Sequence, residues 1–116
     1  MKELATLTGN SFRYKRHTDG ELIVYPADEK GNLQDKSAIV ITPFTVGLVK
    51  DAIREAARIK MGASRDAPPR GSLGALIKQQ KQSPQQLSYL IPVLVDEGVC
   101  RVERDGKAFV IVRKEG

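Results

Sequence analysis

Ser83-Pro84-Gln85-Gln86-Leu87-Ser88-Tyr89-Leu90-Ile91-Pro92-Val93-Leu94-Val95-Asp96-Glu97-Gly98 is the stretch on which the fold turns. Ser83 has an N-cap side chain, and Pro84 suits the first helical position, where its missing N–H costs nothing. Gln86 stands where a capping box reaches back to the N-cap amide. Leu87, Leu90, Ile91 and Leu94 follow at i, i+3, i+4 and i+7, which makes one apolar helical face. Gly98 falls where a left-handed C-terminal cap belongs. Pro92 lies inside this helix and deletes one backbone bond, at about 3 kcal/mol, or bends the axis there. The apolar pattern keeps its register on both sides of Pro92, so the reading is one kinked helix rather than two elements.

Elements on either side fall into place from this helix. Upstream, Ser72 caps a short helix from Leu73 to about Gln80, with Leu73, Leu76 and Ile77 as its apolar positions. Downstream, Val99–Arg104 and Lys107–Val112 flank Asp105-Gly106, the sequence of a tight hairpin. That loop pairs Val102 with Phe109 and Cys100 with Ile111, and leaves Arg104 and Lys107 at the tip. Gly62 to Gly71, with Pro68-Pro69, is the clearest breaker in the chain. Before it, Thr42-Pro43 starts a helix that runs to Met61-Gly62, with Val46, Val49, Ile53 and Ala56 inward and Lys50, Arg54 and Arg58 in a basic row.

The first third reads as strands. Phe12–His17 and Leu22–Pro26 flank Asp19-Gly20, a second tight hairpin signal. In that register Tyr14 faces Tyr25, Lys15 faces Val24 and Arg16 faces Ile23. The core side then collects Phe12, Tyr14, Ile23 and Tyr25. Residues 27–36 are polar around Gly31-Asn32 and read as a loop. Ile39-Val40-Ile41 is a third strand, placed either with this hairpin or with the C-terminal one.

Composition narrows the function classes. The chain has 116 residues, 41% hydrophobic and 28% charged, as one folded unit requires. A division at residue 42 gives a 1–42 strand segment and a 43–116 helical segment, which can also form a single unit. Cys100 is the only cysteine and His17 the only histidine, which leaves no multi-Cys or multi-His metal cage. No apolar run approaches a membrane span and the start lacks a secretory signal, so a cytoplasmic protein with no metal, no cofactor and no membrane partner is expected. The net charge of +5 falls wholly within residues 37–116, because residues 1–36 balance. His17 reads as a surface strand residue and Cys100 as a packed thiol. Asp28-Glu29 and Asp96-Glu97 are neighbours in sequence and do not share a face. No catalytic constellation emerges, so an enzyme is not expected.

The order from Ser72 onward is a short helix, a tight turn, a capped longer helix, a glycine and a basic-tipped hairpin. Residues 72–114 thereby resemble the winged helix-turn-helix domain of transcription regulators, with the helix from Pro43 as a candidate first helix. The resemblance implies an α+β fold, a three-helix core with a C-terminal wing, extended by the N-terminal hairpin. It also implies double-stranded DNA as partner. A helix of this kind presents its first turns to base edges. Opposite the leucine face lie Gln85, Gln86, Ser88 and Tyr89, and Gln bonds adenine in bidentate fashion. Ser83 caps the helix where its amides face a phosphate. Lys78 and Lys81 flank the turn, and Arg104 and Lys107 on the wing clamp the backbone. Operator symmetry in such proteins makes a homodimer the expected state.

Two features oppose this reading. No Lys or Arg lies between Lys81 and Arg101, although phosphate neutralisation supplies much of the affinity in such complexes. Tyr89 also occupies a position where a basic residue is common in DNA-reading members. The rival is a protein-interaction module on the same core, with Tyr89, Pro92 and Val93 as its exposed surface. A third reading is RNA or single-strand binding through Arg13, Lys15 and Arg16, with Tyr14 or Tyr25 stacking on bases.

Overall fold

The computed structural model describes residues 2–27, 38–63, 67–106 and 108–114. The expected loop at 28–36 and the wing-tip Lys107 lie outside the described residues. An N-terminal antiparallel sheet has the order β1-β2-β3-β4, with β1 Lys2–Ala5, β2 Ser11–Arg16, β3 Leu22–Pro26 and β4 Ile39–Ile41. Then come α1 (Pro43–Ala56), β5 (Arg58–Lys60), α2 (Leu73–Gln79), α3 (Leu87–Asp96), β6 (Cys100–Asp105) and β7 (Ala108–Arg113). The last three strands form a second sheet, β5-β7-β6. The fold is α+β, with three helices and a C-terminal hairpin, and β4 belongs to the N-terminal sheet. Among the described residues, no helix is long and apolar enough to cross a membrane.

The first hairpin differs from expectation by one residue. Phe12 pairs with Pro26, Tyr14 with Val24, Lys15 with Ile23 and Arg16 with Leu22. Gly20 donates its N–H to the His17 carbonyl at 3.0 Å and takes a φ of 98°. The loop is therefore three residues, Thr18 to Gly20, closed by the His17 N–H to the Glu21 carbonyl at 2.9 Å. A slip of one exchanges the two faces of a strand. Leu22 and Val24, both 0% exposed, join Phe12 and Tyr14 in the core, while Ile23 and Tyr25 turn to the outer face. β1 was not foreseen. It joins β2 through a turn in which the Thr6 N–H reaches the Asn10 carbonyl at 2.9 Å.

The helix from Pro43 starts as read, with the Thr45 N–H donated to Thr42 Oγ1 at 3.2 Å. It ends at Ala56, not Met61, and Arg58 and Lys60 sit on a strand rather than in a helical basic row. Ile59 and Met61 point inward while Arg58 and Lys60 are exposed, a period of two that overlaps the helical spacing. Tertiary pairing decides the matter: Arg58, Ile59 and Lys60 oppose Val112, Ile111 and Val110 of β7.

The C-terminal hairpin has a two-residue shift, with Val102 opposite Ile111 and Cys100 opposite Arg113. Its last pair is Asp105 with Ala108, and Gly106 takes φ 64°. A shift of two preserves the faces, so Cys100, Val102, Phe109 and Ile111 share one side as expected. α3 runs unbroken through Pro92 and ends at Gly98 (φ 79°), where the Val99 N–H reaches the Leu94 carbonyl at 2.9 Å. Leu87, Leu90, Ile91 and Leu94 are each 0% exposed, which is worth about 1.5–3 kcal/mol per side chain. One apolar cluster unites them with Phe12, Leu22, Val24 and Ile41 of the sheet and Val46, Val49 and Ile53 of α1.

Candidate nucleic-acid interface

The corner between α2 and α3 is built by two local devices. At its start, Ser72 Oγ accepts the Ala75 N–H at 3.1 Å and fixes the first turn of α2. At the end of α2, the Gln82 N–H reaches the Ile77 carbonyl and the Lys81 N–H the Lys78 carbonyl, both at 3.0 Å. That pair of bonds closes a helix with a left-handed residue, usually glycine. Here the residue is Lys81, at φ 62°. An L-residue in this conformation costs about 1–2 kcal/mol. Lys78 and Lys81 are both exposed at this corner, next to exposed Ser83 and Gln85.

The start of the long helix differs from a capping box. Pro84–Gln86 forms a tight 3₁₀ turn, and Ser83 Oγ accepts the Gln85 N–H at 3.3 Å. Gln86 donates Nε2 to Gln82 Oε1 at 3.4 Å instead of reaching back to the Ser83 amide. Its Oε1 is buried without a hydrogen-bond partner among the described residues. The tighter turn carries Gln86 around the axis, away from the position a capping glutamine needs.

Beyond its first turn, α3 is covered at Tyr89, Pro92 and Val93, while Val95 is 38% exposed. Phe12 meets the Tyr89 ring edge-on, with centroids 5.3 Å apart and planes at 84°. Pro92 and Val93 are buried, so the exposed Tyr89-Pro92-Val93 surface expected for a protein partner does not exist. At the far end the sheet holds the acidic tip of α3. Lys2 pairs with Asp96, Tyr14 Oη lies 3.4 Å from Asp96 Oδ2, and Arg16 Nη2 lies 3.3 Å from Glu97 Oε1. Carboxylates at a helix C-terminus oppose the helix dipole, and these cations offset that repulsion. The hydrogen bond to Asp96 raises the Lys2 pKa; burial, then the Asp96 charge, raises that of Tyr14.

The proposed single-strand trio is likewise divided. Tyr14 is in the core and Arg16 is tied to Glu97, so neither stands on an open face. Arg13 and Lys15 do project from the outer face, with Tyr25 directly across from Arg13.

On the wing, Arg104 is exposed and its guanidinium lies 5.0 Å from the Phe109 ring centroid. Arg58 and Arg101 both grip Glu103, at 2.8 and 3.0 Å, and lower its pKa, the Arg58 bond first. Burial pushes the Cys100 thiol up to about 11, a packed and unreactive group. The sequence pattern did not show that the β1–β2 turn lies against α3, where Thr6, Thr8 and Asn10 flank the first turn of the helix. Gly9-Asn10 marks a turn in the sequence, but nothing local says which helix it will touch. Compared with protein-family models, curated proteins and solved structures, the chain matches none of them.

Proposed function

We propose that this chain is a winged helix-turn-helix protein that binds double-stranded DNA, as a regulator of transcription, through the α2–α3 corner and the wing. The observation that carries the reading is that corner: exposed Lys78, Lys81, Ser83 and Gln85 stand together on one tight turn. β5, between α1 and α2, pairs with β7 of the C-terminal hairpin in a three-stranded sheet, an arrangement that supports the reading. Of the net charge of +5, +3 falls in residues 37–71 and +2 in residues 101–116, which include the wing, a balance that favours a polyanionic partner.

Because the sheet covers the later turns of α3, contact is end-on. Gln85 addresses a base edge, with Gln86, Ser88 and Tyr89 half-buried behind it. Lys78 and Lys81 neutralise phosphates on one side and Arg104, with Lys107, on the other. Two copies on a symmetric site would double these contacts.

Three or four phosphate contacts per copy predict a log–log salt slope of about −2.7 to −3.6. From 50 to 200 mM salt, affinity for a duplex then falls roughly 40- to 150-fold. Lys78→Gln with Lys81→Gln lowers the slope by about 2. A salt-independent signal, or no binding at low salt, removes the proposal.

A second reading, a protein-interaction module without DNA binding, is favoured by two exposed apolar side chains away from α3. Val40 is 48% and Phe44 63% exposed, on either side of the β4–α1 junction. If a second copy docks there, sedimentation shows a dimer that Phe44→Ser dissociates. A concentration-independent monomer counts against it.

A further inference from the structure

A groove of about 430 Å³ lies between the β1–β2 turn and the first turn of α3. Its polar wall is made by Thr6, Thr8, Asn10, Gln85, Gln86 and Ser88. Tyr89 and Ile39 supply apolar surface. Among the described residues, no carboxylate, ammonium, guanidinium or imidazole lines it. The described lining offers a charged group no counter-charge for the water it would lose, which favours an uncharged occupant.

The free groups on the wall narrow the class. Thr6 Oγ1 is already used, accepting the Asn10 N–H at 3.0 Å and lying 3.2 Å from Thr8 Oγ1. The side-chain amides of Asn10 and Gln85 and the hydroxyl of Ser88 make no hydrogen bond with described residues, and Gln86 Oε1 is a buried acceptor with none. A carboxamide presents one acceptor and one donor side by side in a plane. That pattern matches the amino group and ring nitrogen on the edge of adenine. The geometry points to this groove as a site for an uncharged nucleobase, adenine foremost, whose edge meets the amides of Asn10 and Gln85 and the acceptor Oε1 of Gln86 while its face lies against Tyr89 and Ile39.

Such a base has two sources, a free nucleoside or an unpaired base in a DNA strand. The test titrates the full chain with adenosine, with cytidine, guanosine and thymidine, with ribose, and with two duplexes, one fully paired and one carrying a single bulged adenine. The readout is the side-chain and backbone amide NMR signals of residues 6–10 and 83–89. Adenosine is expected to shift these signals saturably at roughly 0.1–1 mM, the range for a ligand of its size. Ribose leaves them unchanged. Gln85→Ala and Gln86→Met, the second filling the same space without hydrogen bonds, weaken binding at least about tenfold while distant signals hold still.

If only the bulged duplex shifts the groove signals, the base comes from a strand, and the site stands. The site is overturned if no nucleoside acts and both duplexes bind alike, a result that leaves duplex binding intact. It is also overturned if shifts fall outside the groove or survive Gln86→Met. Adenosine binding without any duplex binding supports the site and removes the DNA reading, so the two proposals fail separately.

Discussion

Phe12→Ala tests how firmly the sheet is joined to α3. Phe12 is 1% exposed, and its ring meets Tyr89 edge-on at 5.3 Å. Removing a buried phenyl ring costs about 3–5 kcal/mol, of which the aromatic pairing supplies roughly 0.5–1.5. Unfolding entropy near 2.1 cal/mol/K per residue gives about 0.24 kcal/mol/K for the 116-residue chain. The melting midpoint therefore falls by about 12–20 °C. The assay follows unfolding by far-UV circular dichroism and by tyrosine fluorescence. Because Tyr14 and Tyr25 report the sheet and Tyr89 reports α3, one shared core requires both signals to move in a single coincident transition. Lys15→Ala, on the outer face, changes stability by no more than about 0.5 kcal/mol. A loss below about 1 kcal/mol for Phe12→Ala, or a biphasic curve in which one phase does not move, refutes the reasoning.

Cys100, with its thiol raised from 9.0 to about 11, keeps its proton longer in the folded state than in the unfolded one. Its contribution is full below pH 9 and is lost as pH rises through 11, about 2–3 kcal/mol in all. Cys100→Ala flattens the stability profile between pH 9 and 11, and native Cys100 resists alkylation at pH 8. Gly74→Ala places a methyl carbon 1.6 Å from the Gly62 carbonyl oxygen and breaks the Gly74 N–H bond to Met61, so a loss above about 4 kcal/mol or failure to fold is expected in urea denaturation. Gly98→Ala meets nothing within 4 Å and carries only the left-handed penalty of about 1–2 kcal/mol. Lys81→Gly moves two measurements in opposite directions. It stabilises the fold by about 1 kcal/mol by relieving φ 62°, and it reduces the salt slope of duplex binding by about 0.9.

The residues that declare themselves locally were legible. Thr42-Pro43, Ser72 and Gly98 set helix ends through bonds within a few residues, and the structure has those bonds. Both hairpins were visible from Asp-Gly, but their registers were not. Gly20 and Gly106 each tolerate more than one loop length, and packing selects among them. Arg58–Lys60 shows the same limit, because its spacing fits a helix or a strand until β7 lies beside it. The site was half legible. Lys78, Lys81 and Gln85 sit on the corner that the cap pattern defines. The covering of Tyr89 depends on Phe12, more than seventy positions away, and no periodicity within α3 encodes it.

The central claim is that a duplex docks on the α2–α3 corner and the wing. The most direct measurement is a map of amide NMR shifts, residue by residue, as a short DNA duplex is added at low salt. Shifts concentrated at residues 78–86 and at Arg104 are predicted. Shifts centred instead on Arg13, Lys15 and Tyr25, or none anywhere, contradict the account.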